Sequence, residues 1–277
     1  MAEKSASRTA LGTACMRAAH QLLDAPPLIL EDPLAVRLLG PGAEKHIRET
    51  AASFREKNRL HLRSHVVLRS RFAEDRLARA VSRGVGQYLV LGAGFDTFAL
   101  RNPAWAAGLR LWEVDHAGTQ ARKRELIAAA GLSLPAAATL AAVDFERETL
   151  AQSLARHGVS KDTPAFFSWL GVTMYLGQEA IVAVLSAVAS FPPGSEIVLT
   201  FAPPPGDQPS HYDQRSAGLG EPWISYFTPE EMTDLLRATG FGQVELLTPD
   251  QAKERYYASR PDDLPPPFQT NMVAAIL

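Results

Sequence analysis

The chain has 277 residues, of which 46% are hydrophobic and 21% are charged, a balance typical of a globular protein. Its net charge of −2 gives no general attraction to nucleic acid or to anionic membranes, so we expect neither as a partner. A single cysteine excludes an internal disulfide, and the lack of an apolar signal core, a membrane-length apolar run and an H-E-x-x-H motif favours a cytoplasmic protein without a metal.

The first part of the chain, residues 1–84, is predicted to be a helical cap. Apolar positions recur at helical spacing in 13–23, 33–39 and 64–81, and no run there is typical of a strand. Prolines and glycines separate the helical runs, and the last helix is expected to end at Gly84.

From residue 85 onward, predicted strands alternate with predicted helices. Short apolar runs indicate strands at 88–91, 110–114, 139–143, 165–169 and 197–201. Such alternation is typical of an α/β protein with a doubly wound, mainly parallel sheet that carries helices on both faces.

The pattern changes after the fifth strand. Residues 202–222 are rich in proline and glycine and are predicted to be a long loop, part of a lid insertion over 202–227. Thr228-Pro-Glu-Glu231 forms a capping box that begins a helix, and two final strands are expected at 243–247 and 272–277. We therefore predict one Rossmann-like unit over 85–277 that contains this insertion.

Glycines and acids end the first two strands of that unit. The first strand breaks at Gly92-Ala93-Gly94, where missing side chains would let a ligand approach the backbone. The second strand ends in Glu113 and Asp115, at the spacing at which a carboxylate reaches the ribose of a bound nucleotide. The pair of motifs predicts a nucleoside-cofactor site in which one of these two acids holds the ribose hydroxyls.

The residues after Gly94 help to choose the cofactor. Thr97 stands where a dinucleotide-binding motif has its third glycine. Asp96 would repel a diphosphate but suits a cation, and S-adenosylmethionine carries an ammonium and a sulfonium group and no phosphate. The loop therefore favours S-adenosylmethionine over a nicotinamide dinucleotide.

Further short motifs accompany these along most of the chain, at 8–11, 31–35, 69–72, 143–145, 171–176 and 227–230. Together with 91–97 and 113–115, their order and spacing resemble the leucine carboxyl methyltransferase family. The resemblance is to its bacterial branch of S-adenosylmethionine-dependent methyltransferases, which includes carboxyl O-methyltransferases of polyketide pathways. It implies a Rossmann-like seven-stranded methyltransferase sheet with an N-terminal helical cap.

The resemblance also implies roles for cofactor-binding residues. Arg69 matches the arginine that holds the methionyl carboxylate, and Arg17 is a second candidate for that role. Asp144 would accept a hydrogen bond from the adenine amino group, and Phe145 would pack on the ring. Leu170 stands where many relatives have a glutamate, so one side-chain hydrogen bond expected at the cofactor site is absent.

The resemblance implies an O-methyltransferase that acts on a small-molecule carboxylate, with polyketide-like acids among the candidate acceptors. A carboxylate is ionised at pH 7 and needs no general base, whereas a phenol would benefit from one. Catalysis is then mainly positioning, for which Tyr175 and His211 are candidates; His116 is a further possible base for a phenol. The predicted acceptor-binding residues are Tyr175, Tyr212, Trp223 and Tyr226.

Three other functions stay open on the sequence. One is O-methylation of a phenolic hydroxyl group. A second is a nicotinamide-dependent oxidoreductase, against which Asp96 and Thr97 argue. The third is a non-catalytic protein that binds the cofactor, an alternative left open by Leu170.

Overall fold

The computed structural model describes residues 7–143, 148–206 and 210–277. Its N-terminal part is helical, and Ser7 caps the first helix by accepting a hydrogen bond from the amide of Ala10. The helices are α1 (Arg8–Leu23), α2 (Leu34–Leu38), α3 (Ala43–Glu49), α4 (Ala51–Phe54) and the long α5 (Lys57–Ser82). In the described residues of this part no strand is present, as the apolar spacing predicts.

The strands of the described residues form one seven-stranded sheet in the order β3-β2-β1-β4-β5-β7-β6. The pairs from β3 to β5 are parallel, whereas β7 is antiparallel to both β5 and β6. The strands are β1 (Gln87–Leu91), β2 (Arg110–Asp115), β3 (Ala138–Ala142), β4 (Ala165–Trp169), β5 (Glu196–Thr200), β6 (Gln243–Leu246) and β7 (Met272–Ile276). The predicted doubly wound α/β fold is confirmed.

The connections are mostly helical, with the bounds α6 (Phe98–Arg101), α7 (Ala117–Ala129), α8 (Leu150–Arg156), α9 (Gln178–Ala189), α10 (His211–Gly218), α11 (Pro229–Thr239) and α12 (Pro249–Ala252). Short 3₁₀ turns lie at Ala104–Ala106 and Thr173–Tyr175, and a π-helical turn at Lys253–Tyr257. Every residue of β1, β4 and β5 is buried, because helices cover both faces of the central strands. None of the described helices is both long and apolar enough to cross a bilayer.

A buried polar network holds the N-terminal helices together. Arg63 on α5 donates two hydrogen bonds to Asp24, of 2.7 and 2.8 Å, and Nδ1 of His20 lies 2.7 Å from the same carboxylate. Burial alone would raise the pKa of Asp24, but the hydrogen bonds from His20 and Arg63 outweigh it and hold that pKa below its usual value. The end of α1 is thereby fixed against α5.

The segment 202–227 contains α10, so residues 202–222 are not the long loop that was predicted. Ser210 and Asp213 form a capping box that starts this helix, a signal that the proline and glycine content obscured. The amide of Phe227 donates to the carbonyl of Ala202 at 2.9 Å, which joins the two ends of the segment just after β5, and the Tyr212 hydroxyl donates to the carbonyl of Asn58 at 2.7 Å. It therefore reaches from the sheet to the start of α5.

Candidate active site

A cavity of about 620 Å³ lies at the carboxyl ends of the parallel strands. Its walls are residues that follow β1, β2, β4 and β5, together with the faces of α1 and α5 and parts of 202–227. This edge of a doubly wound sheet is where such folds bind ligands, and the volume is within the range of small-molecule and cofactor sites, roughly 300–1,000 Å³.

The loop after β1 forms one wall of this cavity. Gly92 and Ala93 donate to the carbonyl of Val114 at 2.8 and 3.2 Å, which ties the loop to the neighbouring strand. Gly92 and Gly94 have φ values of +67° and +52°, a region that favours glycine. A Cβ atom on Gly92 would collide with the side chain of Val172. Glycine therefore suits both positions for two reasons: the backbone has a positive φ, and the missing side chains let a ligand approach the backbone.

Asp115, at the end of β2, completes this wall. Its two carboxylate oxygens accept hydrogen bonds of 2.6 Å each, from the amide of Gly94 and from the amide of His116. Burial raises the pKa of Asp115, an effect that these two hydrogen bonds and the charge of Lys123 oppose. Because each carboxylate oxygen can accept a further hydrogen bond, Asp115 can also hold hydroxyl groups of a ligand.

Glu113, the other predicted ribose ligand, is not among the residues that line the cavity. Its carboxylate forms an ion pair with Lys123 of α7, and both side chains are 1% exposed. Gln120 of the same helix donates to the carbonyl of Glu113 at 2.7 Å. Glu113 thus joins β2 to α7, and of the two candidate acids the structure brings only Asp115 to the cavity.

Asp96 lines the cavity and already has two partners. Its Oδ1 accepts from the amide of Phe98 at 2.7 Å, and its Oδ2 lies 3.2 Å from Nη1 of Arg17. Arg17 also donates to the carbonyl of Phe95. Burial would raise the pKa of Asp96, but the positive charge of Arg17 and further contributions keep it lowered. The structure therefore directs Arg17 toward the loop, where it holds Asp96 ionised.

Arg69 reaches the cavity from α5 and differs from Arg17 in its contacts. Among the described residues it has no hydrogen bond or ion pair. Its guanidinium lies beside Gly171, the second residue after β4. Burial and the nearby charge of Arg17 lower the pKa of Arg69 to about 10, which leaves it protonated at neutral pH. A desolvated cation without an acidic partner is suited to an anionic ligand.

Of the other predicted cofactor-binding residues, the structure describes Leu170 but not Asp144 and Phe145. Leu170 follows β4 and lines the cavity. Asp144 and Phe145 lie outside the described residues, so their predicted contacts with adenine stay predictions.

The predicted acceptor residues divide into two groups. Tyr175, Tyr212 and Trp223 line the cavity, whereas His211 and Tyr226 do not. The Tyr226 hydroxyl instead donates to Asp213 at 2.9 Å and so supports α10 from outside. His116 also lies off the cavity, where it caps α7 by accepting from the amide of Gly118.

Among the cavity residues that the sequence analysis missed are His61 and His65. They share one face of α5 with Arg69, because all three follow the four-residue spacing of a helix. Because Arg69 was a candidate, this i, i+4, i+8 spacing could have indicated from the sequence that His61 and His65 lie on the same face. The same spacing suits a metal, but no cluster of three metal-binding side chains occurs within 7–143, 148–206 and 210–277.

Their surroundings disfavour the charged form of both histidines. Burial, with a smaller contribution from Arg69, lowers the pKa of His65 to about 3. Burial and the charge of Lys57 also lower the pKa of His61, whose ring lies 5.0 Å from that of Phe268. Both imidazoles are therefore neutral at pH 7.

Glu221 joins the start of α1 to segment 202–227 at the edge of the cavity. It accepts a hydrogen bond from the Ser7 hydroxyl at 3.0 Å, one from the amide of Arg8 at 2.8 Å and one from the Thr9 hydroxyl. Ser7 and Thr9 line the cavity with it. These contacts close one side of the site across two distant parts of the chain.

A family model and individual relatives of this chain both indicate methyltransferases. The model of the leucine carboxyl methyltransferase family matches residues 10–189. YktD of Bacillus subtilis is 30% identical over 95% of both chains, and FRAAL3718 of Frankia alni is 29% identical over 89% of this chain and 90% of its own. Both relatives carry the name of an S-adenosyl-L-methionine-dependent methyltransferase.

Solved structures resemble this chain in fold. A protein from Streptomyces avermitilis of the DUF574 family superposes with a TM-score of 0.55 at 16% identity and covers 99% of this chain and 97% of its own. A Thermobifida fusca protein described as a methyltransferase gives a TM-score of 0.52 at 20% identity, over 84% of this chain and 87% of its own. Both support the Rossmann-like architecture.

Proposed function

This chain belongs to the leucine carboxyl methyltransferase family and is an S-adenosylmethionine-dependent methyltransferase, and we propose that it methylates a carboxylate of a small-molecule acceptor. The family and its relatives establish the class of enzyme and the cofactor. The acceptor group is our proposal, and it depends on the chemistry of the cavity.

The residues around the loop after β1 suit the cofactor. The loop at 92–94 lets a ligand come close to the backbone, and the carboxylate of Asp115 can accept hydrogen bonds from the ribose hydroxyls. Arg69, which has no ion-pair partner in the described part of the chain, supplies a guanidinium for the methionyl carboxylate, and Asp96 keeps a negative charge near the cationic methionyl part. We assign these residues, with Leu170 beside them, to cofactor binding.

The single observation that carries the choice of acceptor is the protonation chemistry of the cavity histidines. An effective general base has a pKa near the working pH, whereas the pKa of His65 is about 3 and that of His61 is lowered as well. A phenol, with a usual pKa near 10, would need such a base. A carboxylate is already ionised, so the described cavity supports the reaction without a proton transfer.

When bound, S-adenosylmethionine would supply an electrophilic methyl group, carried on its sulfonium, for transfer to an acceptor oxygen. The protein contributes position and enclosure. The helices within residues 7–84 and the described part of the 202–227 insertion are joined at the cavity by Glu221 and Tyr212. Holding the oxygen and the methyl group in one orientation can account for several orders of magnitude in rate.

The acceptor is proposed to be flat and partly aromatic, as a polyketide-like acid would be. Tyr175, Tyr212 and Trp223 line the cavity together with Phe268, a residue that is 77% exposed. Aromatic side chains bury flat apolar groups favourably. Tyr175 lies on the turn after β4, close enough to Arg69 to oppose the lowering of its pKa. We assign Tyr175 to positioning of the acceptor.

The test is methyl transfer from methyl-labelled S-adenosylmethionine to a panel of aromatic carboxylic acids and phenols. Methyl esters are hydrolysed by mild base and aryl methyl ethers are not, so base treatment of each product identifies the bond. We expect base-labile label from acids and none from phenols. Base-stable label from phenols alone would establish the alternative hydroxyl methyltransferase and overturn the proposal.

A further inference from the structure

Three cavity side chains form a row along one face of α5. Arg69, the cation assigned to the methionyl carboxylate, lies beside Gly171 just after β4. His65 is one helical turn earlier, and His61 is one turn before that, with its ring 5.0 Å from the ring of Phe268. Neighbours in this row are about 6 Å apart along the helix axis. The row therefore runs from the end of the sheet to the side of the cavity where Phe268 lies.

Aromatic side chains surround the far end of this row. The Tyr212 hydroxyl donates to the carbonyl of Asn58 at 2.7 Å, and Asn58 is about one helical turn before His61. Tyr212 and Phe268 thus come to the start of α5 from two separate parts of the chain, and both line the cavity. These rings belong to the proposed acceptor side, whereas the residue assigned to the cofactor lies at the opposite end of the row. His65 stands between the two.

The imidazole of His65 carries hydrogen-bonding groups that the described chain does not use. None of the described residues forms a hydrogen bond or an ion pair with it. The described polar atoms that are fully enclosed and lack a partner include Nδ1 of His61 but neither ring nitrogen of His65. Both nitrogens of His65 are therefore accessible, and the space that this half-buried residue lines is the cavity.

A neutral imidazole has opposite needs at its two nitrogens. Burial, with a smaller contribution from Arg69, lowers the pKa of His65 to about 3, so at neutral pH one nitrogen donates a hydrogen bond and the other accepts one. Water can meet both needs while the cavity is open. An acceptor molecule that fills the cavity displaces this water, and it loses affinity unless its own groups replace the hydrogen bonds.

A carboxylate can meet only one of these needs. It accepts a hydrogen bond from the N–H group but has no hydrogen to donate to the other nitrogen, and an unsubstituted aromatic ring has none either. A hydroxyl group both donates and accepts. Because no described residue fixes the tautomer of His65, a hydroxyl group can pair with whichever nitrogen it meets.

We infer that His65 binds a hydroxyl group of the methyl acceptor and thereby selects hydroxylated aromatic acids. This inference rests on the proposed function and narrows its substrate class. An imidazole that resists protonation accepts a hydrogen bond from the hydroxyl group without removing its proton. The hydroxyl group then serves recognition, and the carboxylate remains the group that receives the methyl.

Matched acids test the inference through activity. Benzoate and 1-naphthoate are each compared with their monohydroxy derivatives, which differ from them by one hydroxyl group. For wild type we expect at least one hydroxylated acid to exceed its parent about 10-fold or more in kcat/KM for ester formation. His65→Leu should lose this preference and leave the parent acids little changed. A preference that persists in His65→Leu would show that another group recognises the hydroxyl.

Two further variants separate recognition from a structural effect. His65→Gln keeps a donor and an acceptor in the side chain, so it should retain part of the preference that His65→Leu loses. His46→Leu is the matched control, because His46 is an exposed residue of α3 outside the cavity, and it should behave as wild type.

Nitrogen-15 NMR of the imidazole groups tests binding without turnover. With S-adenosylhomocysteine present, the preferred hydroxylated acid should move the ring signals of His65 saturably and further than its parent acid does. His65→Gln identifies those signals, and the signals of His46 should stay in place. S-adenosylhomocysteine affinity should be equal in wild type and His65→Leu. A loss of that affinity with the acid preference intact would place the imidazole on the cofactor and overturn the inference.

The outcomes are distinct. If wild type forms no ester from any acid of the panel, the proposed function fails and this inference with it. If wild type forms esters from hydroxylated and parent acids with equal kcat/KM, the proposed function stands and the role of His65 is wrong. Base-stable label on the hydroxylated acids alone would mean that the hydroxyl group itself is methylated, which contradicts both.

Discussion

The guanidinium of Arg69 lies against the Cα atom of Gly171, so that a Cβ atom at residue 171 would be 2.5 Å from Nη1 and 2.9 Å from Cζ. Gly171 has a φ of +73°, and its amide donates to the Thr200 hydroxyl at 2.7 Å. A side chain at residue 171 would therefore displace the end of the Arg69 side chain and strain the backbone. This relationship explains how an arginine from the N-terminal helices reaches the edge of the sheet.

The first prediction concerns this contact. Gly171→Ala should displace Arg69 and strain the backbone, and should weaken S-adenosylhomocysteine binding by about 1–3 kcal/mol. Gly86→Ala is the matched control, because a Cβ there meets nothing within 4 Å. Calorimetric titration of both folded variants measures the difference. Equal affinities would show that the cofactor does not depend on this contact.

The second prediction concerns Arg69 itself. Arg69→Ala removes a guanidinium that has no ion pair with any described residue, so we expect a loss of about 1–3 kcal/mol in S-adenosylhomocysteine affinity. Arg79→Ala, on the exposed face of the same helix, should have little effect. Isothermal titration with methylthioadenosine, which lacks the methionyl carboxylate, gives a further check. If Arg69 binds that carboxylate, this ligand should bind wild type and Arg69→Ala alike.

The third prediction separates the two acids of β2. Asp115→Ala should weaken cofactor binding, because it removes the carboxylate on the cavity and frees the amide of Gly94. Glu113→Gln should instead destabilise the fold by about 3–5 kcal/mol, because it removes the ion-pair partner of the buried Lys123. Urea unfolding and ligand titration of both variants distinguish these outcomes. If Glu113→Gln lost ligand affinity but not stability, Glu113 would be a cofactor-binding residue after all.

The fourth prediction concerns closure of the cavity. Glu221→Ala breaks the contacts with Ser7, Arg8 and Thr9, so S-adenosylhomocysteine should dissociate faster, on the order of 10-fold. Glu230→Ala, at an exposed residue in the first turn of α11, is the control. Stopped-flow displacement measures both rates. An unchanged rate in Glu221→Ala would mean that ligand release does not require these contacts to open.

The fifth prediction is the acid sensitivity of the N-terminal helices. The pKa of Asp24 is lowered in the folded protein, so the stabilisation that its ionised form provides is present above the usual value of 3.8 and is lost as the pH falls through the lower folded value. In Asp24→Asn, the free energy of unfolding should be smaller at pH 7 and should vary less below pH 4. Urea unfolding across pH 2–7 tests this, and identical slopes in both proteins would contradict it.

Much of the fold is encoded in local sequence. The predicted strands at 88–91 and 165–169 agree closely with β1 and β4, because buried parallel strands are short apolar runs that end at glycine or polar residues. The glycines at 92 and 94 could be identified in the same way, since a backbone with positive φ favours one residue type. The position of β7 between β5 and β6 could not, because strand order depends on packing between distant segments.

The site was less accessible to sequence reasoning, for a physical reason. Glu113 and Asp115 point to the same face of β2 by alternation, and only the packing of α7 decides that Glu113 pairs with Lys123 while Asp115 meets the cavity. His61 and His65 became site residues through the direction of α5 across the strand ends. Sequence alone determined which backbone shapes and charges this protein has available. The tertiary structure decided which of them share one solvent-shielded space, since that depends on contacts between residues far apart in the chain.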